Sequence, residues 1–123
     1  MSILDTIGNT PLVELDRINP NPRVRLLGKL EGSNPGGSVK DRIALEMVRD
    51  GLDRGALRPG KTILEATSGN TGIGLAMVGA ALGFPVKLAM PECVSFERRR
   101  TLEAFGAELV LTEGCLGTDG AIR

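Results

Sequence analysis

The feature that most limits how this chain can fold is a rhythm. Short aliphatic runs beginning at Thr62, Val86 and Glu108 recur a little over twenty residues apart, and each gap holds one stretch with helical spacing. That interval is the length of a βαβ unit, so the chain is expected to form an α/β domain with an open, mainly parallel sheet and right-handed crossovers. The pattern predicts strands at Val24–Leu30, Thr62–Ala66, Val86–Met90 and Glu108–Thr112. Helices are expected from Ser38 to about Arg54, over Thr71–Leu82 and over Ser95–Phe105, the last stopped by Gly106. From Gly117 onward a capping pattern opens one more helix, and the covering helix expected there is missing because the chain ends. No repeat, low-complexity run or long linker interrupts this order.

Two segments carry chemistry. The first is Glu31-Gly-Ser-Asn-Pro-Gly-Gly-Ser-Val-Lys-Asp-Arg42, where two turns run into a helix start. Ser38 reads as its N-cap, Asp41 stands in a capping-box-like position, and Ile43, Met47, Val48 and Leu52 recur at helical spacing. Lys40 therefore falls in the first turn. The unpaired N–H groups and positive dipole end there disfavour an ammonium, which favours the nucleophilic amine and imine chemistry. The plain alternative is a solvated surface lysine.

The second segment is Thr67-Ser-Gly-Asn-Thr-Gly-Ile-Gly74, between a strand and the following helix. Ligands of open parallel sheets sit at the carboxyl ends of strands, where such a turn aims backbone N–H groups at an anion. Thr67, Ser68 and Thr71 can donate to a carboxylate or phosphate, and Asn70 can donate and accept. The structural alternative is an ordinary turn with Thr71 as N-cap. Gly72, Ala76, Gly79, Ala80 and Gly83 need only let their helix lie close to the sheet.

Composition removes competing chemistries. The chain has no histidine, tryptophan or tyrosine, so histidine-based acid/base catalysis, Ser-His-Asp triads and His-ligated metals are excluded within it. Fifteen basic residues balance fifteen acidic ones and the aromatics are three phenylalanines, which gives neither a charge footprint nor stacking platforms for nucleic acid. The expected partner is a small molecule. Cys93 and Cys115 form no C-x-x-C pair, which argues against a metal site and for reduced thiols. Neither a leader-like start nor a membrane-length apolar run is present, and the expectation is a soluble, cytoplasmic protein. A dinucleotide-binding fold is the rival. Its G-x-G-x-x-G spacing is not met by Gly69-x-x-Gly72-x-Gly74, although Glu92 stands roughly where a ribose-binding acid would.

Taken together, the motifs Thr6-Ile-Gly-Asn-Thr-Pro-Leu-Val13, Lys29 to Arg42, Glu65 to Gly74, Met90-Pro-Glu92 and Glu97-Arg-Arg99 resemble, in order and spacing, the cysteine synthase (O-acetylserine sulfhydrylase) family. These are pyridoxal 5'-phosphate (PLP) enzymes with the tryptophan synthase β-like fold, and the Leu30-to-Lys40 stretch is similar to the B-type. The resemblance implies that Lys40 holds PLP and removes the substrate α-proton, that Asn70 bonds the cofactor's ring hydroxyl, and that Thr67, Ser68 and Thr71 grip the amino-acid carboxylate.

It implies β-replacement, in which O-acetylserine and sulfide, or thiosulfate, give cysteine and acetate. A cystathionine β-synthase-like enzyme shares the lysine motif, and a non-catalytic module would keep the outline only. By resemblance the full protein is a homodimer, a serine acetyltransferase is a potential partner, and residues 86–112 form a mobile subdomain while Arg98, Arg99 and Arg100 are surface charges. Relatives of this kind are longer, with a phosphate-binding loop and second domain beyond Arg123. Residues 1–123 are thus expected to be the N-terminal part, inactive alone, with the apolar surface left by the absent domain exposed.

Overall fold

Helix α2 (Asn70–Leu82) carries no charged residue, and the rest of the chain packs around it. A helix apolar on all sides is stable only when covered on all sides, and Gly74 through Gly79 are all buried. The computed structural model describes residues 1–67 and 69–122. On one side of α2 lies α1 (Lys40–Asp53), contributing Ala44, Leu45 and Val48 to the core. On the other lies a parallel sheet of β3 (Ile63–Ala66), β4 (Val86–Pro91) and β5 (Glu108–Thr112), in that order. Leu88 and Met90 of central β4 are fully buried, as is Leu102 of α3 (Phe96–Ala104). Each such side chain stabilises the fold by about 1.5–3 kcal/mol.

The α/β expectation is thus realised, with three parallel strands joined through α2 and α3. Close helix–sheet approach depends on missing side chains. A Cβ at Gly79 would run into Val86 Cγ2, and one at Gly72 would stand 2.9 Å from Thr67 Cγ2 and 3.3 Å from Leu88 Cδ1. Helix α2 then stops at Gly83, whose φ of 76° is the left-handed cap that glycine adopts most cheaply. The helix expected over Ser95–Phe105 is found as α3, with Ser95 as its cap, the Oγ accepting from Arg98 N at 3.4 Å.

One predicted strand is misplaced. The run Val24–Leu30 contributes only Leu27–Lys29, and this β2 pairs antiparallel with β1 (Leu12–Glu14) in a separate two-stranded sheet. Only a loop with one short 3-10 turn, Asp16–Ile18, joins the two strands, and an antiparallel pair needs no more than that where a parallel one needs a crossover. The short run of β1 behind Pro11 carried no strand signal of its own. The missing covering helix is likewise a correction in part, since α4 (Gly117–Ile122) already folds against β4. Among the described residues no helix is long and apolar enough to cross a membrane.

Candidate active site

Lys40 is the first residue of α1 and is half buried. The loop ahead of it is closed by three hydrogen bonds. Gly37 N donates to Asn34 O at 2.8 Å, Gly36 N to Asp41 Oδ2 at 2.6 Å, and Lys40 N to Ser38 Oγ at 3.1 Å. The capping-box expectation is corrected here. Val39, in helical backbone, occupies the cap position, and Asp41 reaches Gly36 instead of Ser38. The cause is burial: Asp41 is fully enclosed, and its Oδ1 has no hydrogen-bond partner. Desolvation pushes its carboxyl above the usual range, against the pull of the Gly36 N–H. A Cβ at residue 36 would run into that carboxylate, so only glycine closes the loop.

A second set of contacts, not anticipated from the residues, ties the N-terminal segment to the same turn. Arg42 donates to both oxygens of Glu31, Nε at 2.9 Å and Nη2 at 3.1 Å. Arg42 Nη2 and Glu31 Oε1 also share the Thr10 hydroxyl, at 3.1 and 2.9 Å. Buried Asn34 donates to Glu31 Oε2 at 2.8 Å and accepts from Gly8 N at 2.9 Å. The hydrogen bond from Arg42 is the main reason that Glu31's carboxyl is lowered to about 2; Asn34 and Thr10 help, and desolvation opposes them. Only the sequence proximity of Arg42 to Lys40 could have signalled this cluster.

The other half of the site lies at the carboxyl end of β3. Thr67 N donates to Ala89 O of the neighbouring strand at 3.0 Å, and Thr67 Oγ1 accepts from Gly69 N at 3.2 Å. Asn70 begins α2 with its side chain exposed, Thr71 follows it half buried, and Ser68 lies outside the described residues. The Thr71 cap is not adopted: Gly69 holds the cap position, with no side-chain hydrogen bond. Among the described residues no side chain caps the first turn of α2, whose leading N–H groups have no partner within the helix. A Cβ at Gly69 would meet nothing within 4 Å, so this turn faces open space.

The two halves meet through backbone. A Cβ at Gly74 would stand 3.1 Å from the Lys40 carbonyl oxygen, 3.4 Å from Asp41 Cα and 3.0 Å from Ala44 Cβ. Lys40 is therefore held against α2 one helical turn beyond Asn70.

Farther along the same sheet edge, Arg99 departs from the surface-charge reading. It is half buried, and its guanidinium donates to Val94 O at 3.2 Å and also to Glu92 O, clamping the turn between β4 and α3. Beside it a cleft of about 440 Å³ is lined by Pro91, Cys93, Ser95, Arg98 and Thr118. Its lining contains none of the expected site residues.

A parallel α/β core with a lysine at one helix start and threonines flanking another has groups that an enzyme with a carbonyl cofactor can use. The family described as "Pyridoxal-phosphate dependent enzyme" matches residues 3–122, and the chain belongs to it. It is 57% identical to the cysteine synthase of Aquifex aeolicus over 98% of this chain and 38% of that protein. It is 52% identical to cysteine synthase B of Escherichia coli over 98% of this chain and 40% of that one. The crystal structure of cysteine synthase (OASS) from Entamoeba histolytica superposes with a TM-score of 0.92 at 52% identity, covering 98% of this chain and 37% of the other. The likeness to cysteine synthases and the tryptophan synthase β-like fold are thereby borne out, and the dinucleotide-binding rival is set aside. The chain spans about two fifths of the length of these relatives.

The residues present fit the lysine-facing end of PLP. Lys40 offers an amine of the kind its aldehyde carbon can take, Asn70 an amide able to serve its ring hydroxyl, and the Gly69 turn, flanked by Thr67 and Thr71, open space.

Proposed function

We propose that this chain supplies the lysine and the carboxylate-binding turn of a PLP-dependent cysteine synthase, which converts O-acetylserine and sulfide into cysteine and acetate, or O-acetylserine and thiosulfate into S-sulfocysteine and acetate. The observation that supports this reading is the packing of the Lys40 backbone against α2 at Gly74, one helical turn from Asn70 at the start of that helix. PLP, when bound, supplies the electron sink for charge developing at the substrate's α-carbon.

The chain's own residues do the rest. Lys40 holds the cofactor and, once released by the incoming substrate amine, takes the proton from the α-carbon as general base. Asn70 orients the cofactor ring through its hydroxyl. Thr67, Ser68 and Thr71, with the N–H groups of α2, hold the substrate carboxylate, as helix starts favour anions. Fixing the carboxylate and the amine together leaves the acetate ester positioned for departure. Residues 86–112 close over the bound substrate to exclude water. The working enzyme is a cytoplasmic homodimer, with serine acetyltransferase as a partner, and residues 1–123 alone are inactive.

The test is turnover by the protein as its gene encodes it. Cysteine forms from O-acetylserine with sulfide, or S-sulfocysteine with thiosulfate, and Lys40→Ala abolishes both. Cystathionine formed from homocysteine in preference to cysteine would replace this reading with a cystathionine β-synthase-like one.

A further inference from the structure

The small residues of α2 do not all serve the same purpose. Gly72 and Gly79 are turned toward the sheet, where added methyls would meet Thr67 and Leu88, or Val86. Gly74 is turned the other way. Its nearest neighbours all belong to the first turns of α1: Ala44 Cβ, the Lys40 carbonyl oxygen and Asp41 Cα, at 3.0, 3.1 and 3.4 Å from a Cβ built there. Two of these three are backbone atoms of the Lys40 turn and cannot rotate away. Residues four apart share a helix face, so the face of Gly74 is also the face from which Asn70 projects at the helix start.

We propose that Gly74 is a positioning residue, which sets the spacing between the Lys40 amine and Asn70 by letting the α1 backbone rest directly on α2. The inference rests on the reading of Lys40 as the cofactor lysine and Asn70 as its ring partner. A methyl at 74 has to push the Lys40 turn outward by a few tenths of an ångström, since such contacts are tighter than packed interiors accept. A cofactor held at one end by Lys40 and at the other side by Asn70 then loses one of its two partners' best geometry, and reactive-group placement is sensitive on that scale. Stability and cofactor geometry should thus separate, because a core change elsewhere lowers the first without touching the second.

The experiment compares Gly74→Ala with Val86→Ala, a buried core truncation at the opposite end of β4, in the protein as its gene encodes it. Free PLP is titrated while its near-visible absorbance band is followed, and urea unfolding is recorded alongside. The expected result is about tenfold weaker PLP binding and a displaced band for Gly74→Ala, with Val86→Ala destabilised but within twofold of wild type in PLP binding. Should Gly74→Ala not fold, adding Ala44→Gly relieves the methyl contact and keeps the one at the Lys40 carbonyl, and the same weakening is expected. Gly74→Ala binding within twofold of wild type with an unmoved band, or Val86→Ala weakening PLP equally, overturns the inference. Absence of any Lys40-dependent band in the wild type refutes the cofactor reading itself and this inference with it.

Discussion

Arg42 and Glu31 meet in a two-pronged contact, Nε on one carboxylate oxygen at 2.9 Å and Nη2 on the other at 3.1 Å, which joins the start of the lysine loop to the helix that follows it. Paired guanidinium and carboxylate forks of this kind bind more strongly and more directionally than neutral hydrogen bonds. Because Glu31's carboxyl is lowered from 4.5 to about 2 in the fold, its contribution is complete above pH 4.5 and is lost as pH falls toward 2. Urea unfolding between pH 6 and about 2 should show this loss, and Glu31→Gln should flatten that limb. Parallel curves for the two proteins would show that the contact contributes nothing to acid sensitivity.

Asp41 acts with the opposite sign. Its carboxyl is raised above 3.8 by burial, so ionising it disfavours the fold increasingly as pH rises past that value. Asp41→Asn keeps an acceptor for Gly36 N and removes the charge. It should therefore lose less stability at pH 7 than Asp41→Ala, which leaves Gly36 N unpaired at about 1–3 kcal/mol. Thermal melts of both variants decide the order.

Gly36→Ala should be far more damaging than Gly32→Ala. A methyl at 36 meets the buried Asp41 carboxylate, whereas one at 32 meets nothing within 4 Å. Overpacking of this sort destabilises by about 1–3 kcal/mol, and equal melting temperatures for the two variants would remove the steric account of the loop.

Arg99→Ala should destabilise the turn between β4 and α3, leaving the Glu92 and Val94 carbonyls without their charged donor. A loss of about 1–3 kcal/mol is expected from hydrogen bonds to a charged group, with Arg99→Lys intermediate because an ammonium lacks the planar fork. Proteolysis at the turn is a direct readout, and an unchanged cleavage rate in Arg99→Ala would contradict the clamp.

Helices α1, α2 and α3 and the three parallel strands were legible because their signals are local: periodicity and turn glycines. The position of Thr67, Gly69 and Asn70 between β3 and α2 was legible for the same reason, since a glycine-bearing turn after an aliphatic run is a local signal. What escaped depends on atoms distant in sequence. The pairing of Leu12–Glu14 with Leu27–Lys29 is three residues long, too short to pattern. Asp41 looked like a capping residue until burial gave it Gly36 as a partner. Arg99 looked like one of three equal charges, and Gly74 like one of several equal small residues; only packing tells each apart from its neighbours.

The central claim is that Lys40 is the amine that holds PLP, and chemical fixation tests it most directly. The protein as its gene encodes it is saturated with PLP, reduced with borohydride to make the cofactor linkage permanent, digested, and the modified peptide identified by mass. The account predicts the cofactor's mass on Lys40 and its loss in Lys40→Ala. Stoichiometric label on any other lysine, or no label at all, would contradict it.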